Sequence, residues 1–241
     1  IHRFFRFSDF RELEPVQNAA QIPLPNLNLF PRQPMLNNFD PMVPAEYQGW
    51  MDALETAQPA ARLEMLRLSN VDREVRLDFA QPAGYRYEAI EEAYGLKVFT
   101  CPDWVAERQE ALDLMLASVI PGRLILEGQG RSDCRPSAAA ATVSVQGYQF
   151  LVNTPVSGWL FIPMTWYPGW NAQIDGGSAL LMRANYLFMA VPVPEGEHYV
   201  QLTYQPGWMP EVLVVSGITW LGLAGCAIYL RLKKWRKQDD S

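Results

Sequence analysis

The stretch "WYPGWNAQIDGG", Trp166 to Gly177, decides how the second half of this chain is read. It sets Trp166 and Trp170 close to one carboxylate, Asp175, and closes on a glycine pair. Asp175-Gly176-Gly177 has the side-chain hydrogen bonding and tolerance of positive φ that a tight hairpin demands. The residues before it, Trp159 to Ile162, Thr165 to Tyr167 and Trp170 to Ile174, are the aromatic and β-branched types that fill strands. Asp175 is therefore expected at a loop tip. The competing reading is catalysis, which needs a second titratable partner; none is near in sequence.

Outward from this hairpin, short strand-like runs recur between turn residues at 142–145, 148–153, 158–164, 169–174, 179–182, 186–191 and 197–204. That rhythm predicts a β-sandwich. The segment from Gly130 to Ala141, poor in large apolar residues, marks a domain boundary. Before it, apolar spacing predicts helices over Pro44–Leu54, Pro59–Leu68 and Asp103–Ala117, the last capped by Asp103. Alternation predicts strands over 71–79 and 96–98, and "RLILEG" at 123–128 reads as another. The first forty or so residues, rich in Pro and Asn, read as an extended covering segment. The predicted class is α+β, with four parts: a mixed α/β outer region (1–129), a β-sandwich (130–210), a transmembrane helix (211–232) and a basic tail (233–241).

The transmembrane expectation rests on "VLVVSGITWLGLAGCAIYL", Val212 to Leu230, 19 residues without a charge, about the length that crosses a bilayer's hydrocarbon core. Trp208 on one side and Tyr229 and Trp235 on the other fit the two membrane interfaces, and Arg231, Lys233, Lys234, Arg236 and Lys237 follow. The positive-inside rule then puts the C-terminus in the cytoplasm and the body outside it, single-pass in the cell membrane. With the basic cluster gathered in the tail, the body is more acidic than the net charge of −6 suggests, which argues against nucleic acid as a partner. The chain opens on Ile1-His2-Arg3 without Met or a signal peptide, so either a segment precedes residue 1 or this is one piece of a longer membrane protein.

Cys101 and Cys134 lie in the body and are candidates for a disulfide, left open at this stage, while Cys226 lies in the helix. His2 and His198 are isolated and no metal-ligand spacing exists, so no metal is expected.

Beyond these readings, "YPGWNAQIDG", then "RANYLFMAVPVPEGEHYVQLTYQP" and a single hydrophobic helix, resemble the C-terminal end of the bacterial YfhO-like membrane proteins. Upstream, "PNLNLF", "NNFDPMVPAEY", "LEMLRLSNV", "YGLKVF" and "IPGRLILEG" follow the order of that family's outer domain, so the likeness spans roughly residues 20–232. The family is similar to polytopic glycosyltransferases that take sugars from polyprenyl phosphate carriers. Its catalytic acidic residues lie in a multi-helix membrane core that this chain lacks. The resemblance implies a fold and an orientation, and no catalytic residue here.

Two functions fit these features. In the first, the chain is a non-catalytic, membrane-anchored accessory subunit packed against other transmembrane helices, in a photosynthetic or respiratory complex. Gly217, Gly222 and Gly225 allow close helix approach, and Trp220, Leu221 and Ile228 offer contact to an isoprenoid such as a carotenoid, quinone or polyprenyl lipid. In the second, it is the outer domain of a polyprenyl-phosphate-sugar-dependent membrane glycosyltransferase, with Trp166 and Tyr167 as sugar-stacking rings.

Overall fold

The computed structural model describes residues 44–77, 85–130, 137–207 and 209–239, with side chains described for all of these except 75–77, 85–87, 210–211 and 229–239. The Pro/Asn-rich covering segment lies outside the described residues, as does Cys134.

The chain is α+β and built in layers. Helices α1 (Ala45–Thr56) and α2 (Pro59–Leu68) come first, α2 with Pro59 in its first turn, where the missing amide proton costs nothing. A two-stranded ribbon, β1 (Arg73–Leu77) and β2 (Tyr85–Ala89), follows. Strands β3 (Lys97–Thr100) and β4 (Asp103–Val105), helix α3 (Arg108–Ala117) and strand β5 (Ile125–Glu127) complete the first half. The second half is nearly all strand: β6 (Ser137–Ala138), β7 (Thr142–Gln146), β8 (Gln149–Thr154), β9 (Gly158–Ile162), β10 (Trp170–Ile174), β11 (Gly177–Ala179), β12 (Met182–Ala184), β13 (Phe188–Val193) and β14 (Gly196–Tyr204). Helix α4 (Met209–Asp239) ends it.

A seven-stranded sheet, ordered β4-β5-β12-β13-β9-β3-β6, faces a five-stranded sheet, ordered β11-β10-β14-β8-β7. Residues alternate across the central strands. Leu160 and Ile162 of β9 and Met189, Val191 and Val193 of β13 join Phe150, Val152, Val200 and Leu202 in the core between the sheets. Phe161, Phe188 and Ala190 face the other way and pack with Trp50, Met65, Leu112 and Met115 of the helical layer. Edge-on ring contacts link this second core, Phe99 to Phe161 at 5.9 Å and Phe161 to Phe188 at 5.5 Å. Because β9 and β13 are covered on both faces, "GWLFI" and "FMAVPV" read as continuous apolar runs, without the alternation of half-exposed strands.

Several expectations change. The seven-stranded sheet takes β3, β4 and β5 from before residue 130 and β6, β9, β12 and β13 from after it. The break in composition at 130–141 thus lies inside one sheet's connections. Asp103 does not cap a helix: it sits in β4, parallel to β5, and pairs with Arg123. The helix starts at Arg108 behind a reciprocal capping box of Glu107 and Glu110. The run 179–182 divides into the ends of β11 and β12, and 165–167 is loop.

Among the described residues no helix is long and apolar enough to cross a membrane, so the transmembrane reading of residues 211–232 is unsupported there. Trp208 lies outside the described residues and the side chains of Tyr229 and Trp235 outside the described side chains.

Candidate functional site

The connections between the two sheets give the sandwich two distinct ends. Strand β14 runs from Gly196 to Tyr204, nine residues, or about 27 Å at the usual rise. At its start, β8 passes to β9 and β13 passes to β14; at its finish, β7 turns into β8 at Gly147-Tyr148, β9 crosses to β10, and the chain leaves for α4.

The end remote from α4 carries the turn of the opening stretch. Asp175 (φ 51°) and Gly176 (φ 81°) form the two-residue link between β10 and β11, a left-handed pair suited to the twist of a hairpin. Asp175 Oδ2 lies 2.7 Å from His198 Nδ1, and its Oδ1 accepts the Tyr199 amide at 2.8 Å. His198 Nε2 lies 3.2 Å from the Glu195 carbonyl oxygen. The bond to His198, then that from Tyr199, lowers the Asp175 carboxyl below its ordinary value, and the bond to Asp175, then that to Glu195, raises the His198 imidazole. Sequence reasoning missed this partner because 23 residues separate the pair and only the β10–β14 register joins them. In its protonated form His198 donates from both ring nitrogens to these acceptors and has no lone pair for base work. The pair clamps the hairpin onto β14.

Beside it opens a cleft of about 650 Å³, lined by Thr100, Cys101, Ser157, Trp159, Leu180 and Pro194 among others. Its described walls are mostly apolar, and among the described residues it holds no cluster of titratable groups. Cys101 is disulfide-bonded and Cys226 is free. Among the described residues no three His, Cys, Asp or Glu side chains are placed to hold a metal.

The end next to α4 is aromatic. Trp170 stands between Tyr148, at 5.3 Å, and Tyr204, at 5.1 Å, between ring centroids. Tyr148 is 53% exposed, Tyr167 46% and Tyr204 42%. Of the two rings proposed for sugar stacking, Trp166 is half-buried and has the Arg183 guanidinium 4.1 Å from its ring centre, while Arg183 also bonds Glu127 at 2.9 Å. Tyr167 is the more open ring. The exit to α4 is held by the Gln205 amide on the Gly169 carbonyl at 2.7 Å and the Met209 amide on the Pro206 carbonyl at 3.0 Å.

Along α4, the described apolar side chains are exposed. Leu213, Ile218, Trp220, Leu221, Leu223 and Ile228 are 59–75% exposed, and no described residue comes within 4 Å of where a Cβ would stand on Gly217, Gly222 or Gly225. The isoprenoid groove expected beside these residues is not formed by described parts of this chain.

A layered α+β body thus leads through residues 205–208 into α4, whose described side chains from Val212 to Ile228 carry no charge. Residues 138–216 match the family described as "Bacterial membrane protein YfhO", and over them the chain is YfhO-like: the match holds β7–β14 and the first turns of α4. The "Uncharacterized protein YfhO" of Bacillus subtilis (strain 168) is 26% identical over 76 residues, covering 32% of this chain and 8% of that protein. No solved structure matches.

Proposed function

We propose that this chain is the outer domain of a YfhO-like membrane protein, standing on the non-cytoplasmic side and held by α4 as its membrane helix, with the basic tail in the cytoplasm. The observation that carries the proposal is that one family match runs without a break from the sandwich into α4. The match ends at Ser216, in the first turns of α4, and so takes in the junction between sandwich and helix. The uncharged run from Val212 to Leu230 is 19 residues, about the length of a bilayer span, and its described apolar side chains are exposed.

The family resemblance supports serving a glycosyl transfer from a polyprenyl-phosphate sugar, with the reacting groups outside this chain. It favours this role over a free-standing accessory subunit of a photosynthetic or respiratory complex. The domain's part is to cover the membrane-embedded centre and position an acceptor, with Tyr167 as the available stacking ring. The reading frame upstream of Ile1 tests the proposal. A run of many hydrophobic segments in frame supports it, and a frame that holds at most one such segment refutes it.

A further inference from the structure

We infer that the α4-proximal end of the sandwich is a seat on the bilayer surface, with Tyr148, Tyr167, Trp170 and Tyr204 at the level of the lipid headgroups; this rests on α4 being a membrane helix. Charge is distributed along the sandwich in a way that its packing does not require. Between Arg135 and Asp175, and again from Tyr199 to Pro210, the chain has no Asp, Glu, Lys, Arg or His. These two stretches supply the β7–β8 turn, the β9–β10 loop and the exit from β14, at the end that meets α4, and the short β8–β9 turn at the other end. The charged groups of the sandwich's β13–β14 and β10–β11 turns, Asp175, Glu195, Glu197 and His198, gather at the opposite end. The nearby cation at the proximal end, Arg183, is folded over Trp166, paired with Glu127, and its side chain is 13% exposed.

Exposed tyrosines without neighbouring charge suit the interface, where the ring enters the acyl boundary and the hydroxyl stays among headgroups. The link from Gln205 to Trp208 spans at most about 14 Å fully extended, and it is shortened by its bonds to Gly169 and Pro206. Once α4 is in the bilayer, this end of the sandwich cannot stand clear of it. A protein partner covering the same rings would leave them away from lipid, so lipid contact separates the two.

The test places the whole chain in phosphatidylcholine nanodiscs and measures quenching of cysteine-linked fluorophores by nitroxide lipids. The native free Cys226 reports the helix, read with a nitroxide deep in the acyl chain. Tyr148→Cys or Tyr204→Cys, each with Cys226→Ser, reports the seat, and Ser178→Cys, with the same replacement, reports the far end; these are read with a headgroup nitroxide. All three side chains are exposed, and because Tyr148 and Tyr204 flank Trp170, each variant is first shown to keep the parent's melting transition. The expected result is strong quenching at 226, headgroup quenching several-fold greater at 148 and 204 than at 178, and no change when phosphatidylglycerol is added. Equal headgroup quenching at 148, 204 and 178 with 226 quenched overturns the seat and keeps the anchor. Quenching at 148 and 204 only with anionic lipid also overturns the seat as described. No quenching at 226 overturns the anchor and the seat together.

Discussion

The carboxylate of Asp175 and the imidazole of His198 meet at 2.7 Å across the β10–β14 pairing, 23 residues apart in sequence. Each holds the other in its charged form. Asp175 is lowered from 3.8, so its contribution is present above that value and is lost as pH falls through the lowered value. His198 is raised from 6.5, so its contribution is present below that value and is lost as pH rises through the raised one. The clamp is therefore complete between these ordinary values. Thermal melts of His198→Gln against the parent should differ most at about pH 5 and converge towards about pH 9. A difference that stays flat over that range would sink the assignment.

Trp170 carries more of the fold than Asp175 does. It packs against the sandwich core and between two tyrosines. Trp170→Ala should cost about 2 kcal/mol in chemical denaturation, whereas Asp175→Asn should be mild. A larger loss at Asp175 would reverse the reading of the opening stretch.

Gly169 has φ 110°, and a Cβ there would stand 3.0 Å from the Pro206 Cα and 3.1 Å from the Gln205 carbonyl oxygen. Both obstacles are backbone, so neither can swing away. Gly169→Ala should lower the melting temperature and loosen the junction with α4, seen as faster amide exchange at Gln205. Unchanged exchange there would argue that the junction is held elsewhere.

Glu64 is 7% exposed and accepts from the Tyr94 hydroxyl at 2.8 Å and the Gly122 amide at 3.0 Å. Tyr94→Phe should cost about 1 to 3 kcal/mol by leaving a buried acceptor short of a donor. Burial, then the bond to Glu64, raises the Tyr94 hydroxyl well above the ordinary tyrosine value. In a spectrophotometric titration of the folded protein, the Tyr94→Phe variant should lose no absorbance change near pH 10. Loss of a tyrosine titrating there would contradict the buried network.

Cys226 should take up a maleimide without reductant and Cys101 should not, as peptide mapping would show. Reduction should destabilise the body by about 2 to 5 kcal/mol. Labelling at Cys101 before reduction would refute the disulfide.

Much of this protein follows from local pattern. The Asp175-Gly176 turn, helices α1 and α2 and most sandwich strands were legible because period, proline placement and left-handed turn residues act within a few positions. The apolar run of α4 was legible for the same reason. What the tertiary structure alone decided is pairing across distance. It put β3 and β5 into one sheet with β9 and β12, brought His198 to Asp175, set Arg183 over Trp166 and brought the β7–β8 turn, the β9–β10 loop and the exit from β14 together at the end that meets α4. Neither period nor propensity encodes which strand lies beside which, since that depends on burying both faces of β9 and β13 at once, a condition on the whole chain.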